Sequence, residues 1–343
     1  MSKDVFLNID GQTSESIEII SERLEMRSLK GQFASFTKDY FSLLKIDKKA
    51  SVLELGGGTG VIGRSFINEK KFAGKYTVSD LSKKLLKYGE KKSKQFKLDH
   101  LMEFKLIDAM EPNFSKTLLY DAIIMHTLVS HVPNPEKVLR NAHGFAKKGC
   151  KIVIFDADYE TLFIQSGDKK LDKIVNKAIK KGCVAQPKVM REIPIIARKL
   201  GLKLVNYKPH LLFEVGKSDF FIGMGQALSS AIVKDNQLDK NIADNWIRNL
   251  QSSISDNTFF GMCPYMTYIY EVLDLPNDYM LEVTNPYALN LIDAEGAWNI
   301  TTGDPNVIIA ISDQNYYANH EDLYGKVTHY DSTNSASQGH GTA

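Results

Sequence analysis

The feature that most constrains this chain is the run Val52-Leu-Glu-Leu-Gly-Gly-Gly-Thr-Gly60, an apolar stretch that ends in four glycines. An apolar run of this length reads as a buried strand, and glycines at its end read as a tight turn. Glycine carries no Cβ and accepts positive φ, so such a turn brings backbone close to a ligand and opens a helix at once. The same strand-then-helix texture continues. Apolar runs at 51–55, 75–78, 103–107, 120–125 and 151–155 alternate with helical periods at 61–68, 83–95 and 136–146. This alternation predicts a parallel sheet wrapped by helices. Gly149 and Gly201 fall where helix C-caps are expected. Residues 17–46 read as helical, and 203–215, 219–233, 237–253 and 258–272 read as strand, helix, helix, strand.

The glycines admit two registers. Gly58-x-Gly60-x-x-Gly63 is the dinucleotide fingerprint of nicotinamide enzymes. Glu54-x-Gly56-x-Gly58-x-Gly60 instead starts with an acid inside the strand. Asp80 closes the second apolar run, where an acid accepts hydrogen bonds from both hydroxyls of a ribose. Asp108 closes the third, where an acid can accept from an adenine amino group. Three acids at three successive strand ends favour the second register, because the nicotinamide reading leaves Asp108 without a job.

With these pieces, residues 17–273 resemble a class I S-adenosylmethionine-dependent methyltransferase of the small-molecule type. The matching segments are the glycine run, Val78-Ser-Asp80-Leu-Ser82, Ile107-Asp108-Ala109, Tyr120-Asp-Ala-Ile-Ile-Met125 and His131-Val-Pro-Asn-Pro-Glu-Lys-Val-Leu139. Ala146-Lys-Lys-Gly-Cys-Lys-Ile-Val-Ile-Phe-Asp156-Ala-Asp158 completes the set. The resemblance implies an α/β, Rossmann-like fold, a seven-stranded mostly parallel sheet with helices on both faces. It also implies S-adenosyl-L-methionine as cofactor. By that likeness Glu54, Gly56, Gly58 and Gly60 serve the methionine part, Asp80 with Leu81 the ribose, and Asp108 with Ala109 the adenine. Gly57 stands where many relatives carry Cys or Ala, an exchange expected to be harmless.

Methyl transfer is an in-line displacement that mainly needs the two partners brought together and desolvated. A base is required only where the acceptor gives up a proton. The Asn/Asp-Pro-Pro-Tyr/Phe motif of enzymes that methylate exocyclic base amines is missing after the fourth strand, where the chain reads Met125-His-Thr-Leu-Val-Ser-His131. The acceptor is therefore expected to be a small molecule methylated at oxygen, nitrogen or carbon. His126, evenly balanced between pocket wall and base, is the first candidate, and His131, more readily a loop brace, the second. Phe33, Phe36, Tyr40, Phe220, Phe221 and Met224 fall in segments that close the pocket in similar enzymes, although such stripes are more often core. Arg27 and Gln32 could reach the cofactor's carboxylate or the acceptor, with a solvated helix face as the default.

Near residue 274 the texture shifts to Pro, Asn and Asp, which sets boundaries at 1–273, a linker at 274–284 and a tail at 285–343. The tail resembles the start of a subtilisin-like serine protease: Val307-Ile-Ile-Ala-Ile-Ser-Asp313 and Gly339-His340-Gly-Thr carry Asp313 and His340 at two triad positions. The chain stops before that family's nucleophilic serine and oxyanion-hole asparagine, so the tail is an incomplete α/β fragment from which no proteolysis is expected. It reads as a remnant of fusion or truncation. Two alternatives stay open: a peptide or protein methyltransferase using residues 285–343 for recognition, with a peptide or protease partner, and a non-catalytic cofactor-binding module. Forty-three Lys and Arg against 41 Asp and Glu leave a net charge of +2, with no electrostatic footprint for nucleic acid or membrane. Three scattered cysteines without a CxxC pair, and a polar start without an apolar leader segment, predict a cytoplasmic protein with no structural metal.

Overall fold

A computed structural model describes residues 11–273 apart from 12, 30, 113–118, 183, 235 and 237. The linker, the protease-like tail and its Asp313 and His340 lie outside the described residues. The chain opens with α1 (Ser14–Leu29) and α2 (Gly31–Leu43), so the helical stretch expected as one piece is two. The break falls at Gly31, whose φ of 60° an uninterrupted helix does not accommodate. Then follow β1 (Ser51–Leu55), α3 (Val61–Lys70), β2 (Lys75–Asp80), α4 (Lys83–Gln95), β3 (Met102–Leu106), β4 (Tyr120–His126), α5 (Pro135–Gly144) and β5 (Ala146–Ala157). A 3-10 turn at Tyr159–Thr161 leads to β6 (Phe163–Gln165), α6 (Lys169–Gly182), α7 (Val189–Lys199), β7 (Leu202–Gly216), α8 (Phe221–Lys234), α9 (Lys240–Ser255) and β8 (Phe259–Val272).

The strands form one sheet in the order β3-β2-β1-β4-β5-β8, with β7 on the far edge of β8. Pairs from β3 to β5 are parallel, while β8 runs antiparallel to β5, β6 and β7. The architecture is thus the mixed Rossmann-like sheet, with one correction: among the described residues there are eight strands, not seven. The extra one is β6, three residues that pair with Gly261 and its neighbours on β8 beyond the end of β5. Too short to show a period, it gave no sequence signal. Gly149 is a second correction. It sits inside β5 with φ 73°, where Tyr120 pairs with Ala146 but Ala122 pairs with Lys151. The extra residues form an irregularity that a positive-φ glycine permits.

Alternate strand residues face opposite layers, as the pleat requires. Val52, Ala122, Ile124, Val153 and Phe155 join Phe33, Tyr40, Phe41 and Phe66 beneath the N-terminal helices and α3. Leu53, Leu55, Ile123, Met125, Ile152 and Ile154 join Leu139 and Ile193 beneath α5 and α7. Phe33, Phe36, Tyr40 and Phe221 are buried in the first layer, while Phe220 and Met224 pack against it half-buried. Local signals end the helices that flank the site. Ser82 caps α4 by accepting from the Leu85 amide, and Asn134 caps α5 by accepting from the Lys137 amide ahead of Pro135.

Gly63, in the first turn of α3, sets the approach of that helix to β2. A Cβ there would stand 2.5 Å from the Tyr76 ring. Gly63→Ala is therefore expected to lower stability by about 1–3 kcal/mol through overpacking, as read by urea unfolding. An unchanged midpoint would show that α3 can shift freely.

Candidate functional site

The turn after β1 is built on three glycines in the left-handed region. Gly56, Gly58 and Gly60 have φ of 67°, 53° and 69°, whereas Gly63 is an ordinary helical residue. The turn closes on itself through the Gly60 amide bonding to the Gly57 carbonyl, and docks on β2 through the Gly57 amide bonding to the Ser79 carbonyl. A Cβ on Gly56 would strike Leu128 at 2.6 Å, while Gly58 meets nothing closer than 3.4 Å. Gly58 is thus the open face of the turn. Gly57 is tighter than its exchange in relatives suggests: a Cβ there would lie 2.7 Å from Val78 and 2.9 Å from the Glu54 carboxyl carbon. The expectation that alanine would be harmless there is corrected by this contact.

Glu54 supports the turn from behind. It is buried, accepts a 3.0 Å hydrogen bond from the Tyr76 hydroxyl and does not border the pocket. Burial pushes its carboxyl up to about 8, while the Tyr76 hydroxyl and the charge of Arg64 pull the other way and Asp80 adds to the rise. Arg64 itself pairs with Glu25 of α1 at 2.5 Å.

In front of the turn a cavity of about 130 Å³ is lined by Gly56, Gly58, Asp80, Leu81, Asp108, Ala109, Met110, Thr127, Leu128 and His131, with Leu24 and Arg27 from α1. Asp80 accepts from the Gly58 amide at 2.8 Å with one oxygen and from the Ser82 amide at 2.9 Å with the other. Asp108 accepts from the Met110 amide at 2.8 Å. Six of the eight residues expected around a cofactor are brought to this cavity; Glu54 and Gly60 shape the turn without lining it.

The two histidines sit differently from the order in which the sequence ranks them. His126 is buried, stacked on Phe155 with ring centres 4.7 Å apart, and its Nδ1 lies 3.0 Å from the Tyr40 hydroxyl. Burial, with the charge of Arg27, holds it well below the ordinary histidine range, so it is neutral. It does not line the cavity; His131 does. The loop bearing His131 is tied down by fully buried Asp156, which accepts from the Ser130 amide at 3.0 Å and hydroxyl at 2.9 Å. Burial raises the Asp156 carboxyl despite these bonds and the nearby His131. Sequence reasoning missed Thr127, which lines the cavity with φ 52°, a backbone state that pattern and propensity do not announce in a β-branched residue. Among the described residues no group of three or more His, Cys, Asp or Glu is placed to hold a metal ion, and no helix is long and apolar enough to cross a membrane.

A family model described as a methyltransferase domain matches residues 46–245, more than half of the chain. The chain belongs to the methyltransferase domain family. It is a methyltransferase. No curated protein matches it significantly. Among solved structures, the YcgJ protein from Bacillus subtilis is similar at 12% identity and TM-score 0.45, covering 69% of this chain and 98% of that one. The geranyl diphosphate C-methyltransferase from Streptomyces coelicolor A3(2), solved with Mg2+, geranyl diphosphate and S-adenosyl-L-homocysteine, is similar at 12% identity and TM-score 0.44, covering 70% and 80%. The MccD protein is similar at 16% identity and TM-score 0.46, covering 69% and 97%.

In this methyltransferase the raised Glu54 carboxyl has a measurable consequence. Between about pH 4.5 and 8 the folded state keeps a proton that the unfolded chain has released. Stability from this group therefore falls as pH rises through that window, by at most about 1.4 kcal/mol per pH unit. Relative to wild type, Glu54→Gln should gain stability between pH 5 and pH 8 in urea titrations. A pH-independent difference would show that Glu54 is ionised when folded.

Proposed function

We propose that this protein transfers a methyl group to a small acceptor at an oxygen, nitrogen or carbon atom, with the adenosine part of the cofactor held between Asp80 and Asp108. The observation that carries this reading is the shared cavity of an open Gly58 amide turn and two strand-end acids. The bound cofactor supplies an electrophilic methyl on a sulfonium. Asp80 accepts from the ribose hydroxyls at the cavity face, and Leu81, 48% exposed at the lip, offers an apolar edge. Asp108 accepts from the adenine amino group, with Ala109 and Met110 as backbone wall. His131, the histidine that borders the cavity, takes the acceptor's proton where there is one to lose. His126 acts as a braced wall through Tyr40 and Phe155.

Calorimetric titration with S-adenosylhomocysteine, with NAD in parallel, tests the cofactor assignment. Asp80→Ala is expected to weaken binding about 10- to 100-fold, the worth of hydrogen bonds to a charged group. NAD binding in place of the adenosine compound would return the other glycine register. With a turnover-competent acceptor, His131→Ala should lower kcat by about 100-fold or more while S-adenosylhomocysteine affinity holds. A kcat that survives assigns catalysis to proximity alone. The peptide-acceptor alternative rests on residues 285–343, and deletion of 275–343 with unchanged turnover on small acceptors would remove it.

A further inference from the structure

Arg27 differs from the other groups around the cavity in carrying a permanent charge that no acid among the described residues pairs with. It stands in the last turn of α1. One terminal nitrogen donates to the Thr127 hydroxyl at 3.1 Å, the guanidinium carbon lies 5.5 Å from the centre of the Phe33 ring, and the buried Nε has no partner. A guanidinium stays protonated in a protein, and its planar fork matches two carboxylate oxygens at once. The groups its charge reaches are neutral His126 on β4, Tyr159 just past β5 and Tyr265 on β8. A buried donor without an acceptor, on a side chain that lines a cavity, indicates that a ligand supplies one. Thr127, held at positive φ, keeps its hydroxyl on Arg27, and strain of this kind persists where surrounding structure enforces it.

We propose that Arg27 is the carboxylate anchor of this pocket, gripping the anion with its guanidinium fork beside Thr127 and the Phe33 ring. The inference rests on the cofactor reading above. The carboxylate comes from one of two sources: an acidic acceptor, or the amino-acid end of the cofactor. Thr127 and Phe33 hold the fork for either source, and the probes below separate the two.

The test is calorimetry on the full chain, comparing wild type with Arg27→Met and Arg27→Lys. Three probes separate the sources: S-adenosylhomocysteine, 5′-methylthioadenosine, which lacks the amino-acid end, and sodium benzoate added to protein saturated with S-adenosylhomocysteine. The expected result is benzoate binding that weakens about 10-fold or more in Arg27→Met, with both adenosine compounds unaffected. Weakening of S-adenosylhomocysteine alone, with 5′-methylthioadenosine retained, also supports the anchor and gives its source as the cofactor. Retained 5′-methylthioadenosine binding certifies a folded pocket in either case, and Arg27→Lys, which keeps the charge but not the fork, should fall between. Equal loss of both adenosine compounds makes Arg27 structural and overturns the proposal. So does the absence of any Arg27-dependent binding of either anion. Failure of wild type to bind either adenosine compound is a separate result that removes the cofactor reading itself.

Discussion

The carboxylate of Asp80 joins three pieces of chain that would otherwise be independent. It ends β2, holds the Gly58 amide of the turn after β1 and holds the Ser82 amide at the cap of α4. Charge-assisted bonds to backbone amides of this kind are stronger than neutral ones and fix geometry as well as energy. The glycine turn needs such a tether, because residues free to adopt positive φ lose the most entropy when ordered. One side chain therefore both shapes the glycine turn and lines the cavity in front of it. The order of strands makes this possible: β1 lies beside β2, and Leu55 is in register with Ser79, so the turn and the acid emerge side by side.

Behind that turn, burial pushes the Glu54 carboxyl up to about 8, and it braces the Tyr76 hydroxyl as its hydrogen-bond acceptor. Asp80 and Asp108, half-buried on the cavity side, keep their contact with backbone amides and with the open face. The same division appears on the far side of the cavity. Asp156 is fully buried and spends its acceptors on the Ser130 amide and hydroxyl, which fixes the loop that carries Thr127 and His131. Both buried acids act through the loops they hold.

Much of this was legible in the sequence because it depends on local chemistry. The strand-then-glycine run, the acids at 80 and 108, the helix at 83–95 and the final strand–helix–helix–strand block all correspond to elements found in the structure. What was not legible depends on contacts distant in sequence. No local pattern shows that Gly57 is wedged between Val78 and Glu54, or that Gly149 serves a strand irregularity instead of a helix end. β6 is three residues long and finds its partner a hundred residues later on β8, so no local pattern marks it. The ranking of the histidines failed to anticipate their placement for a simple geometric reason. His126 is the last residue of β4 and follows the pleat into the layer with Phe155, whereas His131 lies past the strand, where the chain is free to turn toward the opening.

The pleat also explains why the aromatic cluster beneath the N-terminal helices is core rather than an open acceptor site. Phe33, Phe36 and Tyr40 sit on α2 at helical spacing, and Phe155 and Tyr265 meet them from adjacent strands with ring centres 5.1 to 6.4 Å apart. Rings at such separations pack edge or face against one another and leave no ligand-sized void. Arg27 borders this cluster at Phe33 and the cavity at Thr127, and so marks the seam between packed rings and open pocket. α1, which carries that guanidinium, is itself tied down: its Glu25 pairs with buried Arg64 of α3, and Ile17 and Leu24 pack on Leu85 of α4, so the charge at the seam is held in place by the same helices that flank the glycine turn.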